Sequence, residues 1–242
     1  MGEWYVSRKP AFLKLGEERR DCEYCDYYET REIPERPNPI ITPPTVPDVP
    51  AEDPDPIVPD EPQQGCDGGE NCPSAAFADL STDPAIWYHE GVDYMLSNGL
   101  MNGVGDGKFA PEGIVTRGTL MTMLARLDGV DTTGGSVWYE KGVNWAVEKG
   151  VSDGTNPTAT ITREQIVTML WRYVGEPETA GEQYATFADA DSVSDWAAEA
   201  MNWAVANGIV QGVDNQLKPQ GEASRAQLAT MLFRYCVNIL EK

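Results

Sequence analysis

Thr162-Arg163-Glu164-Gln165-Ile166-Val167-Thr168-Met169-Leu170-Trp171-Arg172-Tyr173 is the stretch whose reading decides the fold. Ile166, Met169, Leu170 and Tyr173 fall at i, i+3, i+4 and i+7, one apolar face of an α-helix. Thr162 supplies a hydroxyl N-cap, Gln165 completes a capping box three residues on, and Gly175 stops the helix. The pattern returns twice. Leu120, Met123, Leu124 and Leu127 follow Thr116 and end at Gly129, with Thr119 as the weaker box partner. Leu228, Met231, Leu232 and Tyr235 follow Ser224, with Gln227 in the box position. Three such helices in one chain are an internal repeat.

Upstream of each lies a second recurring segment. Seven positions after Trp87, Trp138 and Trp196 come Tyr94, Trp145 and Trp203; twelve positions after them come Gly99, Gly150 and Gly208. Equal offsets give a first helix of one length in every copy, closed by Gly in the left-handed C′ position. Asp83-Pro84 reads as N-cap and N1 of the first of these helices, and Ser192 or Ser194 as a cap of the third. Trp196, Ala200, Trp203 and Ala204 share an apolar face, and Tyr94, Trp145 and Trp203 are expected in the core. From Gly to the next repeated Arg the spacing is 18, 13 and 17 residues, so the intervening loop varies. Gly105-Asp106-Gly107 and Ser152-Asp153-Gly154 read as tight turns; they lack the alternating acids and closing Glu of a calcium loop. Amphipathic helix pairs cannot hide their apolar faces alone. The expected fold is therefore all-α, with three helix-loop-helix units around one core, at 75–130, 131–176 and 177–242.

The residue after each N-cap is Arg: Arg117, Arg163 and Arg225. A cation at the positive end of a helix dipole is unfavourable by about 0.3–1 kcal/mol. Three repetitions suggest a role beyond helix stability. Free N–H groups of a helix start beside a guanidinium form a site for a carboxylate or phosphate; the plainer reading pairs each Arg with a neighbouring acid.

Outside the repeats the chain changes character. Of 242 residues, 39 are acidic and 18 basic, a net charge of −21 with one histidine, His89. By segment this is −2 over 1–36, −8 over 37–74 and −11 over 75–242. Such a balance speaks against nucleic-acid or anionic-lipid binding by charge neutralisation. A single histidine leaves little room for His-ligated metal or for a Ser–His or Cys–His nucleophile, so no cofactor, metal or catalytic residue is expected. Eleven of eighteen prolines lie between Pro34 and Pro62, which makes 37–74 an acidic, extended linker. At ~3.1 Å per residue the 29 residues from Pro34 to Pro62 would reach about 90 Å. Residues 1–36 carry Cys22-x-x-Cys25; with Cys66 and Cys72 these fit two local disulfides better than a zinc site across the linker, and Cys236 falls on an apolar helix stripe. No stretch reads as a secretion signal or membrane span, so a protein working outside the cell is expected to continue upstream.

The repeat resembles the S-layer homology (SLH) unit. Phe77-Ala78-Asp79, Trp87-Tyr88, Asn98-Gly99-Leu100-Met101-Asn102-Gly103, the Gly-Asp-Gly-x-Phe-x-Pro loop and Thr116-Arg117 carry the likeness in the first copy. The second keeps Trp138-Tyr139, Gly150 and Ile161-Thr162-Arg163-Glu164; the third keeps Phe187-Ala188-Asp189, Trp196, Gly208-Ile209-Val210 and Ser224-Arg225-Ala226. Departures concentrate in the second copy, which lacks the Phe-x-Asp start and has a shorter loop. Its groove is the one the resemblance supports least. The resemblance implies a pseudo-threefold, three-pronged bundle whose inter-unit grooves bind anionic, typically pyruvylated, secondary cell-wall polysaccharide without covalent attachment. Carried over, Arg117, Arg163 and Arg225 would contact the acidic ketal. Trp87, Trp138 and Trp196 would stack on a sugar ring, and Asp79 and Asp189 would accept sugar hydroxyls or hold the Arg. The implied protein is a non-enzymatic anchor in a Gram-positive-type cell wall, monomeric as a fragment. Alternatives are an S-layer or protein–protein assembly module and, more remotely, a two-carboxylate glycan hydrolase. Residues 1–36, with Gly2-Glu3-Trp4-Tyr5-Val6 and Glu29-Thr30-Arg31-Glu32-Ile33-Pro34, are similar to a small Cys-x-x-Cys β module of such surface proteins, although Phe12 and Asp26 depart from it.

Overall fold

The structure is a computed structural model that describes Gly69, residues 71–240 and the backbone of three strands near the amino end. Cys22, Cys25, Cys66 and almost all of the proline-rich stretch lie outside the described residues. The strands β1 (Tyr5–Arg8), β2 (Gly16–Asp21) and β3 (Tyr28–Ile33) form an antiparallel sheet in chain order. Tyr5 stands opposite Arg19, and Gly16 opposite Ile33. This is the β-like segment expected ahead of the repeats.

Residues 71–240 are helical. The helices are α1 (His89–Ser97), α2 (Arg117–Leu127), α3 (Glu140–Glu148), α4 (Arg163–Tyr173), α5 (Ala198–Ala206) and α6 (Arg225–Tyr235). Thr116, Thr162 and Ser224 cap α2, α4 and α6 by accepting the N3 amide, and Gln165 and Gln227 close full capping boxes. Gly99, Gly150 and Gly208 follow the C-caps of α1, α3 and α5 with φ of +62°, +69° and +70°.

The first helices begin later than their sequence suggests. Asp83 accepts the Ala85 amide and closes a turn, and α1 starts only at His89. Ser194 precedes a short 3₁₀ turn, Asp195–Ala197, that runs into α5. Each repeat Trp therefore sits in the approach to its helix instead of on the buried face. Trp196 stands 54% exposed while Ala200, Trp203 and Ala204 are buried.

The helix pair of a unit does not pack upon itself. Helix α3 packs on α2, α5 on α4, and α1 closes the ring on α6. At the axis, Val115 N–H donates to the Ala223 carbonyl, Ala223 N–H to Ile161, and Ile161 N–H to Val115. These three bonds, 3.0–3.1 Å long, form a closed cycle and give the bundle its pseudo-threefold order. Leu120, Leu124, Ile166, Leu170 and Leu228 fill the shared core, with Trp145, Trp203 and Cys236 buried and Tyr94 half-buried against Phe233.

Candidate functional site: grooves between the repeats

Each repeat arginine crosses to the loop of the next unit around the axis. Arg117 donates to the Thr155 carbonyl, Ser152 Oγ and Asp153 Oδ1, the last an ion pair at 3.0 Å. Arg163 Nε donates to the Leu217 carbonyl at 2.7 Å. Arg225 donates to the Phe109 and Asn102 carbonyls, and its guanidinium lies 4.5 Å over the Phe109 ring. The plain acid-pairing reading thus holds for Arg117. Arg163 and Arg225 make no ion pair among the described residues.

The helix starts themselves are closed to an anion, which corrects the expectation of free N–H groups there. Arg117, Arg163 and Arg225 N–H donate to the carbonyls of Ala159, Gly221 and Gly113. The next amides, of Gly118, Glu164 and Ala226, donate to Pro157, Pro219 and Pro111. N3 is taken by the N-cap hydroxyl. Any affinity for an anion rests on the guanidinium groups.

Asp79 and Asp189 build the loops the arginines hold. Asp79 accepts the amides of Phe109 and Ala110 at 2.8 Å; Asp189 accepts those of Leu217 and Lys218 at 2.7 and 2.8 Å. Both carboxyls lie below their ordinary pKa: burial pushes upward, and the amide donors outweigh it. Ala110 and Lys218 adopt φ of +58° and +52°, so these carboxylates hold a conformation the backbone avoids by itself. Their oxygens are engaged with amides of the loops to which Arg225 and Arg163 donate.

Two grooves open between neighbouring units. A cavity of about 470 Å³ is lined by Trp87, Arg163, the 209–213 loop and the face of α6 carrying Gln227, Thr230 and Arg234. A second, about 330 Å³, is lined by Arg117, Val151–Asp153, Gln165, Thr168 and Arg172 of α4, and Trp196. Each groove thus draws on all three units. The third interval holds Arg225 against the Asn102 carbonyl, and Arg126 bonded to Thr132 Oγ1; by the order of the repeat Trp138 belongs to it. Trp87, Trp138 and Trp196 are 57%, 56% and 54% exposed, with Trp87 and Trp138 held edge-on by Tyr88 and Tyr139.

The sequence reading missed the second arginine of each groove. Arg126, Arg172 and Arg234 follow Arg117, Arg163 and Arg225 by nine residues, on the same helices. The spacing is legible, but only the exchange of helix partners shows that Arg234 of α6 meets Arg163 of α4. Burial lowers the pKa of Arg163, and Arg234 beside it acts in the same direction against Asp189. A guanidinium keeps its charge through such a shift. Arg172 is partly engaged by Glu176 at 3.9 Å, whereas Arg234 makes no ion pair among the described residues.

Residues 76–120 and 186–229 match the S-layer homology domain. These two segments are S-layer homology domains. Among relatives, an amylopullulanase of Thermoanaerobacterium thermosulfurigenes is 30% identical over 177 residues, 64% of this chain and 9% of its own length. The surface-layer 125 kDa protein of Lysinibacillus sphaericus is 26% identical over 69% of this chain and 16% of its own. An exoglucanase of Acetivibrio thermocellus is 27% identical over 70% of this chain and 16% of its own. The chain thus spans less than a fifth of each of these relatives. The S-layer homology domain is a non-catalytic module of cell-surface proteins, which places this chain with proteins of the bacterial cell wall. The middle unit repeats the helix pair, cap and arginine of its two neighbours.

Proposed function

We propose that residues 75–242 anchor a surface protein non-covalently to the bacterial cell wall by binding an anionic secondary cell-wall polysaccharide in the inter-unit grooves. One observation carries this. In the larger groove Arg163 and Arg234, neither ion-paired among the described residues, face a common space beside the exposed ring of Trp87. Two guanidinium groups suit the carboxylate of a pyruvyl ketal, and the indole suits the apolar face of its sugar ring. The domain carries −11, so bulk attraction opposes an anionic polymer and recognition falls to these local cations. Several grooves on one polymer add through effective concentration. The middle unit completes the ring as a third S-layer homology unit. Its loop builds the smaller groove, where Asp153 already neutralises Arg117, so that groove binds most weakly.

The test is sedimentation of the protein with purified cell-wall sacculi of a Gram-positive-type bacterium. The expected result is co-sedimentation that disappears once the secondary polymer is stripped. Equal binding to stripped sacculi overturns the glycan reading. Binding instead to an intact S-layer lattice would favour assembly through protein acids.

A further inference from the structure

The single histidine lines neither groove. It is buried with Cys72 and Asp93 beneath the 3₁₀ turn Pro73–Ala76, where the proline-rich stretch enters the first unit. Cys72 Sγ stands 3.0 Å from Asp93 Oδ2 and 3.6 Å from His89 Nε2, and His89 Nε2 stands 3.2 Å from the same Oδ2. We propose that these three side chains bind one divalent transition-metal ion, with zinc the best match to a thiolate, an imidazole and a carboxylate.

Geometry and hydrogen bonding both point to a cation. At metal–ligand lengths of about 2.0–2.3 Å, the edges of a tetrahedral zinc site run to about 3.3–3.6 Å. The three donor separations approach one face of that tetrahedron. His89 Nδ1 faces the Ser81 carbonyl at 3.2 Å and must donate there. In a neutral ring Nε2 is then an acceptor, and it faces a carboxylate oxygen, also an acceptor. A proton or a metal ion between them resolves that meeting. Asp93 Oδ1 is meanwhile occupied by the Ser74 amide at 3.0 Å and by the Ser74 hydroxyl. The outer atoms of both His89 and Asp93 are thus fixed by second partners, which turns their inner atoms toward Cys72, as around bound metals.

The third repeat provides an internal comparison. Asn202 lies six residues after Trp196, as Asp93 lies six after Trp87. It too holds a 3₁₀ turn, accepting the Gln183 amide and donating to the Thr179 and Gly181 carbonyls. A neutral amide therefore suffices to seat the turn. Carboxylate, imidazole and thiol together exceed that need. A metal ion uses all three. It would clip the end of the tether to α1, at the point where a load on the chain enters the bundle.

The experiment uses the full chain, reduced, stripped with a chelator and titrated with zinc chloride. Because His89 is the only histidine, one imidazole is read by ¹⁵N–¹H correlation without assignment. At one zinc per chain, Nε2 is expected to move to the position of a metal-bound nitrogen while Nδ1 keeps its proton. The melting temperature should rise with zinc. Asp93→Asn should weaken zinc by about tenfold or more in competition with a chromophoric chelator. Cobalt should give a thiolate charge-transfer band that is lost in Cys72→Ser. An imidazole whose nitrogen signals stay unchanged at saturating zinc overturns the proposal, even if Cys22 and Cys25 take up metal elsewhere. That readout needs only the wild-type chain, so it stands should a variant fail to fold.

Discussion

Asp189 and Arg163 hold one residue from its two sides: Asp189 Oδ1 accepts the Leu217 amide, and Arg163 Nε donates to the Leu217 carbonyl, both at 2.7 Å. Asp79 and Arg225 grip Phe109 in the same way. A charged pair bridged by one residue, instead of by direct contact, fixes the loop that walls the groove.

Asp189→Ala should therefore weaken polysaccharide binding although Asp189 has no contact to give a ligand. Two charge-assisted bonds are lost, for about 1–3 kcal/mol of stability. Asp189→Asn keeps one acceptor and should fall between. Urea melts and sacculus sedimentation on the same samples check both; unchanged binding by a destabilised Asp189→Ala would show that the loop does not shape the groove.

Acid should loosen the same clasps. The folded pKa of Asp79 and of Asp189 is depressed below the unfolded value of about 3.9. Their contribution is fully present above that value and is lost as pH falls through the lower, folded one. Stability should hold from neutrality to about pH 5 and drop from about pH 4 downward. Asp79→Asn combined with Asp189→Asn should flatten that drop. Circular dichroism melts across this range read the difference.

The two sets of tryptophans separate groove from core. Trp87→Ala removes a ring that is 57% exposed, and should leave the melting point nearly unchanged while reducing sacculus binding. Trp203→Ala removes a ring that is 3% exposed, and should cost about 3–5 kcal/mol. Equal thermal losses in the two variants would put Trp87 in the core and remove it from the binding surface.

What the sequence made legible follows from where each signal is stored. The caps at Thr116, Thr162 and Ser224 and the stripes of α2, α4 and α6 are local, within one helical turn, and all stand as read. The starts of α1 and α5 were misplaced because Asp83-Pro84 and Ser194 have the chemistry of a helix start but close shorter turns, and local propensity does not tell the two apart. The groove arginines Arg117, Arg163 and Arg225 were visible as a repeated breach of dipole preference. Arg126, Arg172 and Arg234 were not, since an Arg in the last helical turn is what the dipole favours. The Cys72–His89–Asp93 cluster joins residues 17 and 21 positions apart across a turn, with no spacing rule to announce it.

Arg163→Ala and Arg117→Ala should rank the grooves. Arg163 faces Arg234 without an ion pair among the described residues, so its loss removes one of the two guanidinium groups of this groove; sacculus affinity should drop by about tenfold, the scale of one charge-assisted bond. Arg117 is already neutralised by Asp153, and Arg117→Ala should change affinity by less than about threefold. Asp153→Asn should then raise affinity through the smaller groove, and that gain should vanish in the Arg117→Ala background. A gain that survives there would come from relief of general repulsion in this acidic domain, not from a freed arginine.

The closed ring of helices makes its own demand at one position. Four residues after the repeat Trp stand Gly91, Gly142 and Ala200. A Cβ on Gly142 would come 2.6 Å from Thr122 Cα, and one on Gly91 2.8 Å from Thr230 Cα, both backbone atoms that cannot step aside. The α3–α2 and α1–α6 crossings therefore require glycine, whereas α5 crosses α4 with Ala200 in place and fully buried. Gly91→Ala and Gly142→Ala should each cost about 1–3 kcal/mol, and Ala200→Gly should cost less. Since α1 and α6, the first and last helices of the chain, join to close the ring, Gly91→Ala loosens that closure. It should weaken sacculus binding through the larger groove, which spans Trp87 and α6, more than Gly142→Ala does at equal loss of stability. Parallel melts and sedimentation of the two variants decide it, and identical binding losses would mean that the ring yields as a single unit.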